Sequence, residues 1–305
     1  MSVKEWRQKN WRGSFAIPMT PYDDHDRIDE DALRAEIEFC IQAGTKGIVT
    51  PVMVSEFQAL SEDERRLMVR IPVEQCAGRV PVVANCAAEN TPLAVSYARY
   101  AEEVGADALI AMPPYALHPD FGVTYAYFKA IDAAVSLPIW IQNAGLAPLS
   151  ADQIVRLCSE LERVSWVKEE VSPPTHSISA LMARQSSFIE GVMGGSGGRF
   201  MISEHARGSN GVIHACQFSD MIQRIWDLLD GGRLEEAGDV FEKILPGLVL
   251  EGLMGMAYAK EVMVRRGVLK NNRMRMESSP LDESDWREID RTWERLQPHL
   301  LWHGF

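Results

Sequence analysis

The sequence predicts an α/β protein, a (β/α)8 TIM barrel with a C-terminal helical extension. Eight short runs of apolar and β-branched residues recur between residues 14 and 216, and stretches with helical spacing alternate with them. The runs are continuously apolar, which indicates parallel strands whose outer face is covered by helices. Eight such strand and helix units are the number that closes a barrel of this type.

The strands and helices can be placed in chain order from these patterns. The predicted strands are SFAIPMT (14–20), KGIVTPVM (46–53), VPVVANC (80–86), ADALIAM (106–112), LPIWIQN (137–143), VSWVKEE (164–170), SSFIEGV (186–192) and NGVIHAC (210–216). Apolar residues spaced three and four apart predict helices in 29–44, 60–78, 91–106, 150–162 and 200–208. Ser61 and Glu64 form the sequence pattern of a capping box at the start of the second helix.

The domain boundaries follow from where these patterns stop. We predict an N-terminal arm at 1–12, the barrel at 13–218 and the helical extension at 219–305, which has no strand-like run. A doubly wound sheet is the alternative, but it usually has fewer strands and a glycine-rich turn after its first strand. The segment PMTPYDDHD after the first run contains no glycine.

Composition excludes several classes of function. The net charge of −12 argues against nucleic acid as a partner, because phosphate binding needs clustered cations. The first residues lack an apolar signal region and no segment approaches 18 apolar residues, so we expect a cytoplasmic protein that does not bind membranes. The five cysteines and seven histidines show no metal-binding spacing. We therefore expect buried thiols, and neither a metal nor another cofactor.

Lys168 has two opposed interpretations. It lies in the sixth apolar run, close to the end of the strand, and the carboxyl ends of barrel strands carry the active site. A buried ammonium is costly, and burial favours the neutral amine, which is a nucleophile toward carbonyl groups. The alternative is a structural lysine whose ammonium reaches the solvent.

Several motifs support the reactive interpretation of Lys168. The stretches GSFAIPMTPYDDHDRIDEDAL, SEFQALSEDER, GRVPVVANCAAENTPLAVSYARYAEEVGADALIAMPPY, LPIWIQN and WVKEE occur in that order. Together they resemble the dihydrodipicolinate synthase and N-acetylneuraminate lyase superfamily over residues 13–218. Its members are class I aldolase-type enzymes that hold a 2-oxo acid as a Schiff base on the lysine of strand six. The resemblance implies that Lys168 is this lysine, and that Tyr115 lies near a contact between subunits.

The chain departs from the superfamily pattern at three positions. Met53 and Val54 stand where the family usually has two threonines, and they cannot supply the hydroxyl hydrogen bonds. Gln142 replaces the tyrosine that relays protons next to Asn143, and an amide does not titrate. These substitutions remove most of the proton relay that aldol chemistry uses in the family.

These departures resemble one branch, the 2-keto-3-deoxy sugar-acid dehydratases, and in particular the L-2-keto-3-deoxyarabonate dehydratases. The matching positions are Ser55, Glu56, Gln142, Asn143 and Glu170. The C-terminal segment LPGLVLEGLMGMAYAKEVMVRRG and Trp302 also resemble that branch.

In a strand, Glu170 lies on the same face as Lys168, which makes it the first candidate for carrying a proton. Glu169 points the other way and favours a structural role. Glu56 is expected to support its loop through backbone NH groups more than to contact substrate.

The segment GVMGGSGGRF, at 191–200, leaves two possibilities open. Small residues ahead of a helix expose backbone NH groups that can bind anions, but the segment lacks the ending of a Walker motif. A lid or an adapter for substrate length is the alternative, with Ser196 and the weaker candidate Arg199 as ligands for the far end of the substrate. His214, Cys216 and Asn85 could face the barrel mouth or be structural.

The sequence thus predicts an enzyme, a hydro-lyase acting on a small-molecule 2-oxo acid. A pyruvate-dependent aldolase or synthase and a non-catalytic barrel that binds an acidic metabolite are the alternatives. The family resemblance suggests a homotetramer or homodimer. The predicted catalytic residues are Lys168, Glu170, Ser55 and Tyr115. The predicted substrate-binding residues are Met53, Val54, Gln142, Asn143, Gly191, Ser196 and His214.

Overall fold

The computed structural model describes residues 11–116, 119–184, 188–276 and 280–304. Most of the predicted arm at 1–12 and the start of the seventh predicted strand therefore lie outside the described residues. The eight strands are parallel and close into a barrel in sequence order, which confirms the predicted fold. They are β1 (Gly13–Ile17), β2 (Gly47–Thr50), β3 (Val82–Asn85), β4 (Ala108–Ala111), β5 (Ile139–Asn143), β6 (Val164–Glu169), β7 (Gly191–Gly194) and β8 (Gly211–Ala215).

Helices follow the strands around the barrel and continue past its last strand. The first seven are α1 (Glu30–Gln42), α2 (Glu62–Cys76), α3 (Thr91–Glu103), α4 (Phe121–Asp132), α5 (Ala151–Glu160), α6 (Pro174–Ala183) and the short α7 (Met201–His205). The predicted capping box at α2 is present, since the Ser61 hydroxyl accepts from the backbone NH of Glu64 and the Glu64 carboxylate accepts from that of Ser61. The C-terminal helices are α8 (Ser219–Asp230), α9 (Leu234–Met254), α10 (Met256–Arg265) and α11 (Glu283–Leu296).

The chain forms two compact units. The first contains Pro81–Ser196 and Phe200–Ile213 with the N-terminal residues, and the second contains Gly13–Val80, Gly197–Arg199 and His214–Phe305. In the first unit, the rings of Trp140 and Trp166 stack with their centroids 5.0 Å apart, and Trp11 packs against both. In the second unit, β1 is tied to α8 because the Gln223 side chain accepts from the backbone NH and the hydroxyl of Ser14.

The seventh strand lies later in the chain than its apolar run predicts. The run centres on Phe188 and Ile189, whereas β7 begins at Gly191 and ends at Gly194. Glycine does not contribute to the apolar pattern from which strands are predicted. It is needed here because of the side chains that surround it. A Cβ on Gly191 would collide with the ring of Trp166, so a small residue is required where the strand crosses that ring.

In the part of the chain that the structure describes, no helix combines the length and the apolar character needed to cross a membrane.

Candidate active site

Lys168 lies inside the barrel wall at the carboxyl end of β6. Only 4% of Lys168 is exposed to solvent. In the parallel register, Lys168 is paired with Gln142 on β5 and with Met193 on β7. Because side chains alternate along a strand, Lys168 and Glu170 project to the same side. The lysine is therefore part of a small cluster built from three neighbouring strands.

Glu170 is the partner of Lys168. One of its oxygens, Oε2, lies 2.9 Å from the ammonium nitrogen and accepts a hydrogen bond of 3.2 Å from the amide of Gln142. The other, Oε1, accepts from the backbone NH of Ser196 at 3.0 Å. Burial alone would raise the pKa of Glu170, but the charge of Lys168 and the donors Ser196 and Gln142 hold that pKa below its usual value. The site therefore holds a carboxylate and an amine in direct contact.

The structure brings together four of the groups singled out in the sequence: Lys168, Glu170, Gln142 and the backbone NH of Ser196. Gln142 donates to Glu170 from the position where a tyrosine would carry a hydroxyl. An amide fixes the orientation of the carboxylate without titrating, so Glu170 and Lys168 are the members of this group of four that can exchange a proton.

Asn143 and Glu169 form a separate buried pair. The Asn143 amide donates to Glu169 at 2.8 Å and to the carbonyl oxygen of Leu149 at 3.1 Å, and its oxygen accepts from the backbone NH of Leu149. These contacts use both amide hydrogens, so they favour a structural role over the predicted substrate contact. Burial raises the pKa of Glu169 to about 7.

The glycine-rich segment after β7 passes close to carboxylate groups. Side chains at Gly194 and Gly195 would collide with the carboxylates of Glu204 and Glu170, respectively. In the second unit, a Cβ on Gly197 would lie 2.6 Å from Oε1 of Glu251. Glycine is needed here because the backbone approaches these acids, which sequence reasoning did not foresee. Gly191, at the amino end of β7, contacts Trp166, a position that favours packing over substrate binding.

Ser55 and its neighbours belong to the second unit. Met53–Ser55 form a short 3-10 helix after β2, in which Met53 is exposed and Ser55 is buried. The hydroxyl of Ser55 donates to the carbonyl oxygen of Pro18 at 2.7 Å and accepts from the backbone NH of Val52 at 3.3 Å. These bonds favour a loop-supporting role for the predicted catalytic hydroxyl. Val54 is half-buried next to it.

Glu56 is completely buried and binds a lysine that the sequence analysis did not select. Lys260 on α10 contacts Oε1 of Glu56 at 2.6 Å and also donates to the carbonyl oxygen of Thr20 at 2.7 Å. The other oxygen of Glu56 accepts from the backbone NH groups of Arg275 and Met276, the kind of contact expected of this residue. The one sequence signal for Lys260 is its position in the apolar stretch GMAYAKEVMV.

Two further predicted residues are His214 in the second unit and Tyr115 in the first. His214, near the end of β8, is buried, and its Nδ1 lies 2.8 Å from the carbonyl oxygen of Ala215. Burial lowers the pKa of His214 to about 4, so the ring is neutral near pH 7. Tyr115, after β4, is half-buried and packs against a cluster formed by Ala87, Met112 and Ala147. Across residues 11–116, 119–184, 188–276 and 280–304, no three His, Cys, Asp or Glu side chains are arranged to hold a metal ion.

Comparison with known proteins gives the chain a family. The model of the dihydrodipicolinate synthetase family matches residues 10–295. An L-2-keto-3-deoxyarabonate dehydratase of Azospirillum brasilense is 27% identical over 95% of this chain and 96% of its own length. A 4-hydroxy-tetrahydrodipicolinate synthase of Mesorhizobium japonicum is 35% identical over 59% of this chain and 62% of its own length.

Solved structures show the same fold. The 4-hydroxy-tetrahydrodipicolinate synthase of Methylacidiphilum fumariolicum superposes with a TM-score of 0.88 at 22% identity, covering 95% of this chain and 97% of that one. The family match over nearly the whole chain, together with this fold, establishes that the chain belongs to the dihydrodipicolinate synthetase family and is an enzyme of the lyase class.

Proposed function

We propose that this enzyme forms a Schiff base between Lys168 and a 2-oxo acid and removes water from a 2-keto-3-deoxy sugar acid of the L-2-keto-3-deoxyarabonate type. The observation that carries the proposal is that Glu170 is held in its ionised form. Lys168, Gln142 and the backbone NH of Ser196 hold it as a carboxylate, while an amide occupies the tyrosine position.

The reaction begins when the ammonium group of Lys168 gives one proton to solvent and the resulting amine attacks C2 of the substrate, whose oxygen takes up a proton from solvent as it departs. The C2 oxygen leaves as water, and the resulting iminium acidifies the protons on C3. Glu170 takes one of these protons, and the electron pair forms an enamine. The enamine then expels the C4 hydroxyl, which leaves as water with a proton returned by Glu170. Hydrolysis of the conjugated iminium consumes one water, releases Lys168, and leaves the carbon skeleton whole.

Two points support loss of water over cleavage of a carbon–carbon bond. In the family, a tyrosine relays protons during aldol chemistry, and Gln142 stands in its place here. The dehydratase of Azospirillum brasilense also aligns with nearly the whole chain. Glu170 alone can take the C3 proton and return it to the departing hydroxyl, because both sites belong to adjacent carbons of one substrate.

A pyruvate-dependent aldolase or synthase is the second candidate. It is favoured by relatives such as that of Mesorhizobium japonicum, which is named a 4-hydroxy-tetrahydrodipicolinate synthase and is more identical over a shorter stretch. The same lysine would form the Schiff base in both cases. The products distinguish the two, because an aldolase interconverts its larger 2-oxo acid with pyruvate and a dehydratase does not.

Borohydride trapping tests the Schiff base directly. We expect the wild type, incubated with 2-keto-3-deoxy acids or pyruvate and then reduced, to gain the mass of the acid less one oxygen at Lys168, as read by intact mass and peptide mapping. Lys168→Ala should give no adduct. Lys270→Ala is the matched control, because Lys270 is exposed and pairs with Asp29, and it should label like the wild type.

Product analysis then separates the candidate reactions. A product lighter than the substrate by one water, without pyruvate, supports the dehydratase. Release of pyruvate would instead identify the enzyme as an aldolase. The absence of a Lys168 adduct with every 2-oxo acid tried would remove both and leave a non-catalytic barrel.

We also propose the partners of the enzyme. The substrate is a small molecule, and copies of the chain are proposed to assemble as a homodimer or homotetramer with Tyr115 near the contact. Light scattering of the purified protein measures the assembly.

A further inference from the structure

Glu204 is a buried acid that the proposed reaction does not use. It lies on α7, is 0% exposed, and has both carboxylate oxygens buried. Within the described residues, neither oxygen has a hydrogen-bond partner. A carboxylate in such a place would lose its hydration with nothing to replace it, so the neutral acid is the favoured form.

Glu204 and Glu170, the proposed proton carrier, lie against neighbouring residues of one backbone segment. The carboxyl group of Glu204 lies against Gly194, and that of Glu170 lies against Gly195. Consecutive Cα atoms are about 3.8 Å apart, so two acids flank adjacent steps of one backbone segment. A side chain at either glycine would displace one of them.

The two acids experience different surroundings. Burial, and to a smaller extent the negative charges of Glu170 and Glu169, raise the pKa of Glu204 to about 8. Glu170 is instead held as an anion by Lys168. Pairs of titratable groups whose environments separate their protonation states mark acid and base roles.

We propose that Glu204 is a positioning residue for Glu170: as the neutral acid it adds no second negative charge that would act on the carboxylate paired with Lys168. As an anion, Glu204 would place a second negative charge beside Glu170. Glu170 would then hold its proton more tightly and release it more slowly to the departing C4 hydroxyl. This inference rests on the proposed function, since it assigns Glu170 the proton transfer.

The test is the pH profile of turnover in Glu204→Gln, in which an amide replaces the neutral acid. With a 2-keto-3-deoxy acid that labels Lys168, we expect kcat of the variant and wild type to agree within about threefold at pH 6.5. Above pH 8 the kcat of the wild type should decline and that of the variant should not. The ratio of the two kcat values should reach about tenfold at pH 9, the order expected for one nearby charge. KM should change less than twofold.

Glu251→Gln is the matched control. Glu251 is also buried, its pKa is raised to about 7 by burial, and it lies against Gly197 of the same segment, but its partners are the amide of Gln217, which donates a hydrogen bond, and the charge of Arg199. This variant should keep the wild-type decline above pH 8. Glu204→Met, with a similar volume and no charge, serves if the amide prevents folding, as judged by circular dichroism.

The outcomes separate the two proposals. If the wild type labels at Lys168 and turns over, but the Glu204 variants decline above pH 8 as the wild type does, this inference is wrong and the proposed function stands. The same conclusion follows if Glu251→Gln alone removes the decline. If the wild type neither labels nor turns over, the proposed function fails and this inference fails with it.

Discussion

At the scale of single residues, the proposed reaction depends on the ion pair of Lys168 and Glu170. The alternation of a strand places the two side chains on one face, and the register of β5 adds Gln142 as a donor to the same carboxylate. Gln142 cannot accept or release a proton at neutral pH, so in the proposed reaction Glu170 carries the proton. The pair therefore supplies both a nucleophile and a base in one contact of 2.9 Å.

Removal of the charge of Glu170 is expected to stop proton transfer while leaving the Schiff base intact. In Glu170→Gln, we expect kcat to fall by about 10²–10⁴, the usual contribution of a general base, whereas borohydride still traps the adduct on Lys168. Steady-state kinetics and intact mass measure the two effects.

Glu169→Gln is the control for the loss of a neighbouring charge. Glu169 lies on the opposite face and binds Asn143, so turnover should stay within about tenfold of the wild type. Wild-type turnover in Glu170→Gln, or an equal loss in both variants, would contradict the assignment of the proton transfer to Glu170.

Residue patterns predicted the side of the strand but not the partners across the fold. The shared face of Lys168 and Glu170 follows from the alternation of side chains along a strand. The choice of Gln142 follows from the motif LPIWIQN, which contains the neighbouring strand. Ser55 and Asn143 fit the same motifs, yet their polar atoms are bonded to Pro18, Val52, Leu149 and Glu169. Glu204 stands in no motif, and Lys260 lies in the C-terminal segment that resembles the dehydratase branch, although nothing in that segment marks it as the partner of Glu56. Their environments arise from packing between segments distant in sequence, which a single sequence does not encode locally.

At the scale of elements, the loop after β2 is fixed by a buried ion pair. Glu56 adopts a left-handed backbone conformation, with φ of 53°, and its carboxylate binds Lys260 on α10 and two backbone NH groups of the segment before residue 277. The loop that carries Met53 and Val54 is thus tied to the C-terminal helices of the second unit.

Breaking this pair should destabilise the fold strongly. In Lys260→Met, we expect the free energy of unfolding to fall by about 3–5 kcal/mol, because the carboxylate of Glu56 is left buried without its counter-charge. Equilibrium denaturation in urea measures this loss. The double variant Glu56→Gln with Lys260→Met should recover part of it, since it leaves no uncompensated charge.

Lys270→Met provides the comparison for a surface pair. Lys270 is 72% exposed on its side chain and bonds to Asp29, so its removal should cost about 0–1 kcal/mol. A loss in Lys260→Met no larger than in Lys270→Met would show that the buried pair does not hold the loop.

At the scale of the whole molecule, four buried acids among the described residues have raised pKa values and keep protons that the unfolded chain would release near neutral pH. Burial raises the pKa of Glu36, Glu169 and Glu251 to about 7 and that of Glu204 to about 8, from an ordinary value of 4.5. The formal net charge of −12 counts all four as anions. The folded protein therefore carries less negative charge near neutral pH than its composition indicates.

Because of these raised pKa values, we expect the free energy of unfolding to fall as the pH rises from about 4.5 to 8. A carboxyl group with a raised pKa in the folded state contributes stability that is fully present below pH 4.5 and is lost as the pH rises through its folded value. His214 acts in the opposite direction, because its pKa is lowered from 6.5 to about 4 and its contribution is lost as the pH falls between these values. The free energy of unfolding, measured by urea denaturation, should therefore be higher near pH 5.5 than at pH 8.

Glu36→Gln isolates one of these contributions outside the candidate active site. Its carboxylate accepts from the backbone NH of Met19 and from the thiol of Cys216, and the amide oxygen of glutamine can accept the same bonds. The variant should lose less stability than the wild type between pH 5.5 and pH 8, by on the order of 1–3 kcal/mol, since one titrating group is gone. Parallel curves for the two proteins would mean that Glu36 is already charged in the folded state near pH 5.5, and that burial does not retain its proton.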